Sequence, residues 1–276
     1  MALQDLLLTD AADPAARMSP KPVQGVCRLC GQLRNLTFEH IPIEAAGNGR
    51  RARAISMEKL VERDEPFTFP NSGWRQAQRG AGGHVLCKDC NEFVGGEYGG
   101  AYARFATWLE CGLEQLNGRM PRDGMLLRHD EHQLGDIARA ALVSLIALSV
   151  GHAVVDRDPH LLDMIKHAEP GLPEGLRLGL TIVAGNRIRH SPPSAMCGPA
   201  GWTVFMEVAA QPMAWTLSYV DDELVMPERS VNVSSWLDIP HRRRASLDLL
   251  VPTGIVFNSA PIDYRSELEL RGNPEG

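Results

Sequence analysis

The stretch GGHVLCKDCNEFVGGEYGG, residues 82–100, carries a Cys-x-x-Cys pair followed at once by Asn91 and then by a glycine-broken run. A second pair lies far upstream in VCRLCGQ, residues 26–32, and LTFEHIP, residues 36–42, stands between the two. Four thiolates from two such turns close a tetrahedral zinc site, because the two-residue spacing lets each turn supply one edge of the tetrahedron. Cys27, Cys30, Cys87 and Cys90 are therefore the expected ligands of a structural zinc ion. Six cysteines in 276 residues are few for a disulfide scaffold, and their pairing fits metal binding in a reducing cytoplasm. Cys111 and Cys197 have no such neighbours and read as core residues.

Composition sets the outer bounds. Apolar residues at 44% and charged residues at 22% belong to an ordinary globular chain that can bury a sizeable core. The first twenty residues, MALQDLLLTDAADPAARMSP, lack the cationic start of a secretory signal. The longest apolar run, AALVSLIALSVGHAVV at 140–155, is too short to cross a bilayer. A cytoplasmic protein with no membrane partner is the expectation. Residues 1–125 hold fifteen basic and fifteen acidic side chains, so the remainder carries the whole net charge of −6. Chains that wrap duplex DNA without specificity are usually basic. Any nucleic-acid contact must therefore come from a local patch, and Arg28, Arg34, Arg50, Arg51, Arg53, Lys59 and Arg63 are the candidates. Scattered arginines on a solvated loop read equally well there.

The chain divides by texture. Residues 1–20 read as a loose leader. Residues 21–120 are rich in Gly, Pro and Cys, as where metal ligation replaces a large core, with 45–80 as an inserted loop holding a short helix from Ile55 to Val61. A helix starting near Cys87 or Lys88 runs into NEFVGG. A stronger one spans AYARFATWLECGLEQLNG, with apolar positions at Tyr102, Phe105, Ala106, Leu109, Leu113 and Leu116, closed by Gly118 and Pro121. Residues 125–270 open with HQLGDIARAALVSLIALSVGHAVV, a buried helix, followed by a short amphipathic helix in PHLLDMIKHAEPG. Strand-like runs follow: LRLGLTIVAG, WTVFMEVAA, AWTLSYVDDEL and ASLDLLVPTGIVFNS. The fold class expected is α+β, with an antiparallel sheet packed on the long helix.

Between the cysteine pairs, Glu39 and His40 sit at the end of a strand, where neighbouring side chains project to opposite sides. One can hold a hard divalent cation while the other faces water as a general base. Asn91, at the start of a helix pinned by the metal, offers an amide oxygen as second ligand. Two protein oxygens with waters and a phosphate are how Mg²⁺ is commonly held.

The order Cys-x-x-Cys, TFEHIP, LCKDCN resembles the zinc-stapled branch of the HNH endonuclease superfamily over residues 24–100. The resemblance implies a ββα-metal finger in which Cys27, Cys30, Cys87 and Cys90 hold Zn²⁺. It implies that Glu39 and Asn91 bind a catalytic Mg²⁺ or Mn²⁺, and that His40 activates water. The family's middle residue, which orients the base, has no clean match; His84 is the choice and Asn71 the alternative. Where the family often carries a Lys or Arg after the last motif residue, this chain has Glu92 and Glu97.

The implied function is metal-dependent hydrolysis of DNA phosphodiester bonds, in the setting of a bacterial restriction or defence effector. Arg50, Arg51 and Arg53, from the local basic patch, are the candidate substrate contacts. One finger cuts one strand, so double-strand cleavage implies a homodimer or two binding events, and residues 125–270 would serve recognition, sensing or dimerisation. The rival is a non-catalytic zinc module that binds nucleic acid or protein. In the second half, His129, His132, His152, His160, His167, His190 and His241 lack metal-ligand spacing and read as structural or surface residues. HRRR at 241–244 reads as a solvated turn, and VDDEL at 220–224 as a hairpin turn.

Overall fold

The structure, a computed structural model, describes residues 23–46, 48, 52–54, 75–77, 81–116, 121, 124–149, 151–183, 188–198, 201–219 and 230–252. The leader, the helix expected at 55–61, Asn71 and the VDDEL turn lie outside these residues. So do Arg50 and Arg51.

The cysteine-bearing part begins with an antiparallel sheet of β1 (Val23–Val26), β2 (Leu33–His40) and β5 (Gly82–Cys87), in the order β1-β2-β5. Two short strands within the expected insertion, β3 (Ala52–Ala54) and β4 (Arg75–Ala77), pair as a separate antiparallel ribbon. Helix α1 (Lys88–Val94) leaves β5 directly from Cys87. It does not stop at the double glycine. Gly95–Gly99 continues as a π-helical turn, and α2 (Gly100–Gln115) follows in the same run. Two helices were expected here; the glycines widen the helix for one turn instead of ending it, since their backbone stays right-handed throughout.

The second half starts with a strand that the sequence did not announce, β6 (Met125–His132), paired with β12 (Ala245–Val251). Helix α3 (Leu134–Ile146) is buried on every face. It ends nine residues short of the expected 155: the chain turns through Gly151 at φ +55° and restarts as α4 (Ala153–Arg157), then α5 (His160–Lys166). A five-stranded antiparallel sheet follows, in the order β11-β7-β10-β9-β8. Its strands are β7 (Leu176–Ile182), β8 (Arg189–Gly198), β9 (Gly201–Ala210), β10 (Met213–Tyr219) and β11 (Val231–Asn232). A 3₁₀ turn, Ser234–Asp238, joins β11 to the segment before β12. Strand β8 contains Pro192 and Pro193, where its register to β9 shifts between Ser191 and Ser194. Proline removes a ladder donor, so the sheet accepts it on this edge strand. The fold is thus α+β, as helical patterns followed by a run of strand patterns predict.

Helix α3 packs on β9 and β10, and every residue of β10 is buried. One contiguous core joins Cys27, Leu29, Leu86 and Val94 of the first part to Ile137, Leu142, Trp215 and Leu217 of the second. Polar groups stitch the same interface. Trp215 Nε1 donates to the Tyr102 hydroxyl at 3.0 Å. Arg139, fully buried on α3, donates to the carbonyls of Met164, Ala168, Leu237 and Ile239. A buried guanidinium is tolerable only when its donors are occupied. Here they hold α3, the end of α5 and the 3₁₀ turn together.

Candidate metal centre and active-site cleft

The first knuckle turns through Gly31 at φ +70°, and the second sits where β5 becomes α1. Antiparallel pairing of β2 with β5 closes the distance between them: Leu36 lies opposite Cys87. The sulfurs of Cys27, Cys30, Cys87 and Cys90 all fall within 4.8 Å of one another. A tetrahedral site with metal–sulfur bonds of about 2.3 Å needs sulfurs about 3.8 Å apart; Cys30 and Cys87 stand at 3.9 Å. Four thiols so placed could hold one metal ion such as zinc. The first proton to leave comes from Cys27, whose thiol is pushed down to about 4, chiefly by the hydrogen bond from Cys90. The Cys87 backbone N–H also donates to Cys27 Sγ at 3.3 Å. The Cys90–Cys27 hydrogen bond, with burial, pushes the Cys90 thiol up. Packed thiols that hold protons against one another are a donor set a divalent cation relieves.

Arg28, expected in a basic surface patch, is buried at 6% exposure. Its guanidinium donates to the carbonyl of Ala147, the C-cap of α3. Unpaired carbonyls at a helix end attract a cation, so this arginine anchors the knuckle and is no phosphate contact. Beside it, the His152 ring meets the Leu29 carbonyl at 3.0 Å through Nε2 and Asp156 at 2.8 Å through Nδ1. Arg34 stays exposed and pairs with Asp89 at 3.3 Å. Arg53 lies on β3, and its side chain is outside the described set. Cys111, expected in the core, is exposed.

Next to the cysteine cluster, a cleft of about 490 Å³ opens between the end of β2 and the helix that follows β5. Glu39, His40 and Asn91 all line it. Gly82 makes the strand approach possible: a Cβ there would meet the Glu39 carbonyl oxygen at 2.0 Å. The loop after His40 is pinned by Asn48, which sequence reasoning missed. Its Nδ2 donates to the carbonyls of Pro42 and Ala81, both at 2.7 Å, and its Oδ1 accepts from Ala81 N–H at 2.8 Å.

Glu39 is 6% exposed, and its carboxyl has no hydrogen-bond or ion-pair partner among the described residues. Burial pushes its carboxyl from the ordinary 4.5 up to about 8. A desolvated acid without a counter-charge is a group that a cation would ionise. Asn91 spends its Nδ2 on the strand, donating to Thr37 Oγ1 at 3.0 Å and the Phe38 carbonyl at 3.2 Å. The oxygen Oδ1 is what it has left to offer a ligand. His40 presents Nδ1 to Glu44 at 3.7 Å, an electrostatic contact too long for a hydrogen bond. Its ring also packs edge-on to Phe38, centroids 5.1 Å apart.

His84 does not line this cleft. It lies across from Phe38 in the strand register, and its ring meets Phe38 edge-on at 5.6 Å, so Phe38 separates it from His40. Glu97, on the π-helical turn between the lining residues Gly95 and Gly99, faces the other way: it accepts from His241 Nε2 and Arg242 Nη2, each at 2.9 Å. His241 Nδ1 reaches the buried Asp136 at 2.9 Å. The HRRR turn is therefore tied down through His241 and Arg242, and Arg244 pairs with Glu131. Sequence reasoning also missed Ile43, Glu44, Gly99 and Gly100 as cleft walls; only the spacing of Glu44, four residues after His40, was a signal. Among the described residues no helix is long and apolar enough to cross a membrane. No family model, curated protein or solved structure matches the chain.

Proposed function

We propose that the chain is a metal-dependent endonuclease of the HNH type, with the four cysteines holding Zn²⁺ as a structural clip. The observation that carries this reading is convergence. Glu39, His40 and Asn91, separated by up to 52 positions, line one cleft beside the cysteine cluster, on a strand pair followed by a helix. Glu39 and Asn91 Oδ1 would hold a hard cation, Mg²⁺ or Mn²⁺, which when bound supplies charge neutralisation at a phosphate and stabilises the departing 3′ oxygen. His40 accepts the proton of the attacking water. Glu44, 3.7 Å from His40 Nδ1, would take the positioning role that the sequence reading assigned to His84. DNA is the proposed substrate, and a homodimer the proposed route to double-strand cuts.

The net charge of −6 favours a second reading, a zinc module that binds a partner without cutting. One experiment separates the two. Supercoiled plasmid is incubated with the zinc-loaded protein and Mg²⁺ or Mn²⁺, beside His40→Ala. Nicking by the wild type and its loss in a variant that keeps fold and zinc support the nuclease. Equal nicking by His40→Ala, or none by the wild type with either cation, rejects it.

A further inference from the structure

A second cleft, of about 310 Å³, lies on the other side of α2. Gly100 faces the first cleft, while Ala101, Arg104 and Trp108 face this one. Its far wall is the end of β6. His129 and His132 are three residues apart, which on a regular strand would point them to opposite faces. They do not diverge, because the register to β12 shifts here: Ala245 pairs with His132 and Leu247 with His129. The extra residue on β6 makes a bulge, which re-aims side chains. The two imidazoles end 4.2 Å apart at 32°, and the Trp108 ring lies 4.8 Å from His132 and 5.3 Å from His129.

The polar groups of this cleft are poised for a ligand. His132 is 8% exposed, and its Nε2 has no hydrogen-bond partner among the described residues. Leaving such an atom buried and unpaired is costly, and a ligand that pairs it recovers that cost. His129 Nδ1 accepts from the Glu131 backbone N–H at 3.2 Å. In the neutral ring the proton therefore sits on Nε2, making that nitrogen a donor and not a metal ligand. Arg104 donates to the neutral Gln133 amide at 2.5 Å and makes no ion pair among the described residues. Arg244 pairs with Glu131 at 2.5 Å, both side chains being well exposed. Among the described residues Glu131 is the one carboxylate in the lining, facing two guanidiniums, so the cleft carries a net positive charge. Burial first, then His129 and Arg104, push the His132 imidazole down to about 4, so the resting ring is neutral.

We propose that this cleft binds a phosphate monoester, its phosphoryl oxygens on His129 Nε2, His132 Nε2 and Arg104, and its organic part against Trp108. A carboxylate at neutral pH can only accept hydrogen bonds. A phosphate monoester, with a second pKa of about 6, offers either P–O⁻ or P–OH. It can therefore satisfy His132 Nε2 in either protonation state. The site shares no lining residue with the Glu39 cleft and stands whether or not the chain is a nuclease.

The test is calorimetric titration of the full-length, zinc-loaded protein without added divalent cation, using inorganic phosphate, adenosine monophosphate (AMP) and adenosine. Saturable binding of phosphate and AMP but not adenosine is expected. Arg104→Gln, at an exposed position, should weaken it about tenfold, the loss of one charge-assisted bond; His132→Phe should do the same, and His40→Ala should leave it intact. Oligonucleotides with and without a 5′-phosphate then identify the source. Tighter binding of the phosphorylated strand than of AMP assigns the site to strand ends, and the reverse assigns it to free nucleotides. No saturable binding of phosphate or AMP, equal binding of adenosine, or binding lost in His40→Ala but kept in Arg104→Gln would overturn the proposal.

Discussion

Replacing Glu39 by Gln makes the electrostatics of the first cleft measurable. Burial raises this carboxyl from the ordinary 4.5 to about 8, so the folded protein keeps a proton there that the unfolded chain has already released. The stabilisation from the neutral acid is complete below about pH 4.5 and drains away as pH climbs through about 8. At about 1.4 kcal/mol per pH unit the full gap corresponds to about 5 kcal/mol, an upper bound. Water entering an open cleft solvates the anion, which brings the expected loss to about 2–3 kcal/mol. Glu39→Gln has the same shape and no proton to lose. Urea unfolding in magnesium-free buffer from about pH 5 to 8.5 should therefore show the wild type losing about 2–3 kcal/mol more than the variant across that window. Adding Mn²⁺ at about a hundred times its dissociation constant should restore about 2.7 kcal/mol to the wild type at the alkaline end, and little to the variant. Parallel pH profiles for the two proteins would refute a buried neutral acid at this position. Parallel responses to Mn²⁺ would separately refute Glu39 as a cation ligand.

Three other outcomes are expected. Metal analysis should find one zinc per chain, and Cys87→Ser should cost at least about 5 kcal/mol, with both halves melting in one transition by near-UV and far-UV circular dichroism. Arg139→Met leaves four carbonyls without their donor and should lower unfolding stability by about 3–5 kcal/mol, measured by urea titration; a change below about 1 kcal/mol would contradict its role as the tie of α3. Gly82→Ala puts a Cβ 2.0 Å from the Glu39 carbonyl oxygen, so it should separate β5 from β2 and cost about 2–4 kcal/mol, with zinc affinity falling in parallel in a chelator competition assay.

The knuckle cysteines were legible because metal ligation imposes a spacing that other uses of cysteine do not. Helix α2 was legible from its apolar period, and β7, β9, β10 and β12 from apolar runs between turn residues. Strand β6 was not: MLLRHDEH has a polar second half, and its bulge breaks the two-residue alternation that marks a strand. Strand β8 hid behind Pro192 and Pro193, which only an edge position tolerates. In the first cleft, Glu39, His40 and Asn91 could be read from their motif, whereas Glu44 and the wall glycines depend on how the loop after His40 folds back. Arg28 was misread for a related reason. An arginine in a loop looks like a surface cation until its acceptor is known, and that acceptor, Ala147, is 119 residues away.

Arg28 also bears on how such a chain can evolve. A cysteine-rich unit of this size invites use as an interchangeable cassette, grafted from one protein into another. This one would not travel alone. Its first knuckle is latched by Arg28 to the end of α3 and by Leu29 to the His152 ring, so a transplant cut at residue 120 would carry a buried guanidinium without its Ala147 acceptor. A graft that swapped Arg28 for a smaller neutral residue would free the finger from its host and leave the carbonyl end of α3 uncapped. The two parts are therefore tied across the cut, and a graft has to take both or redesign the contact.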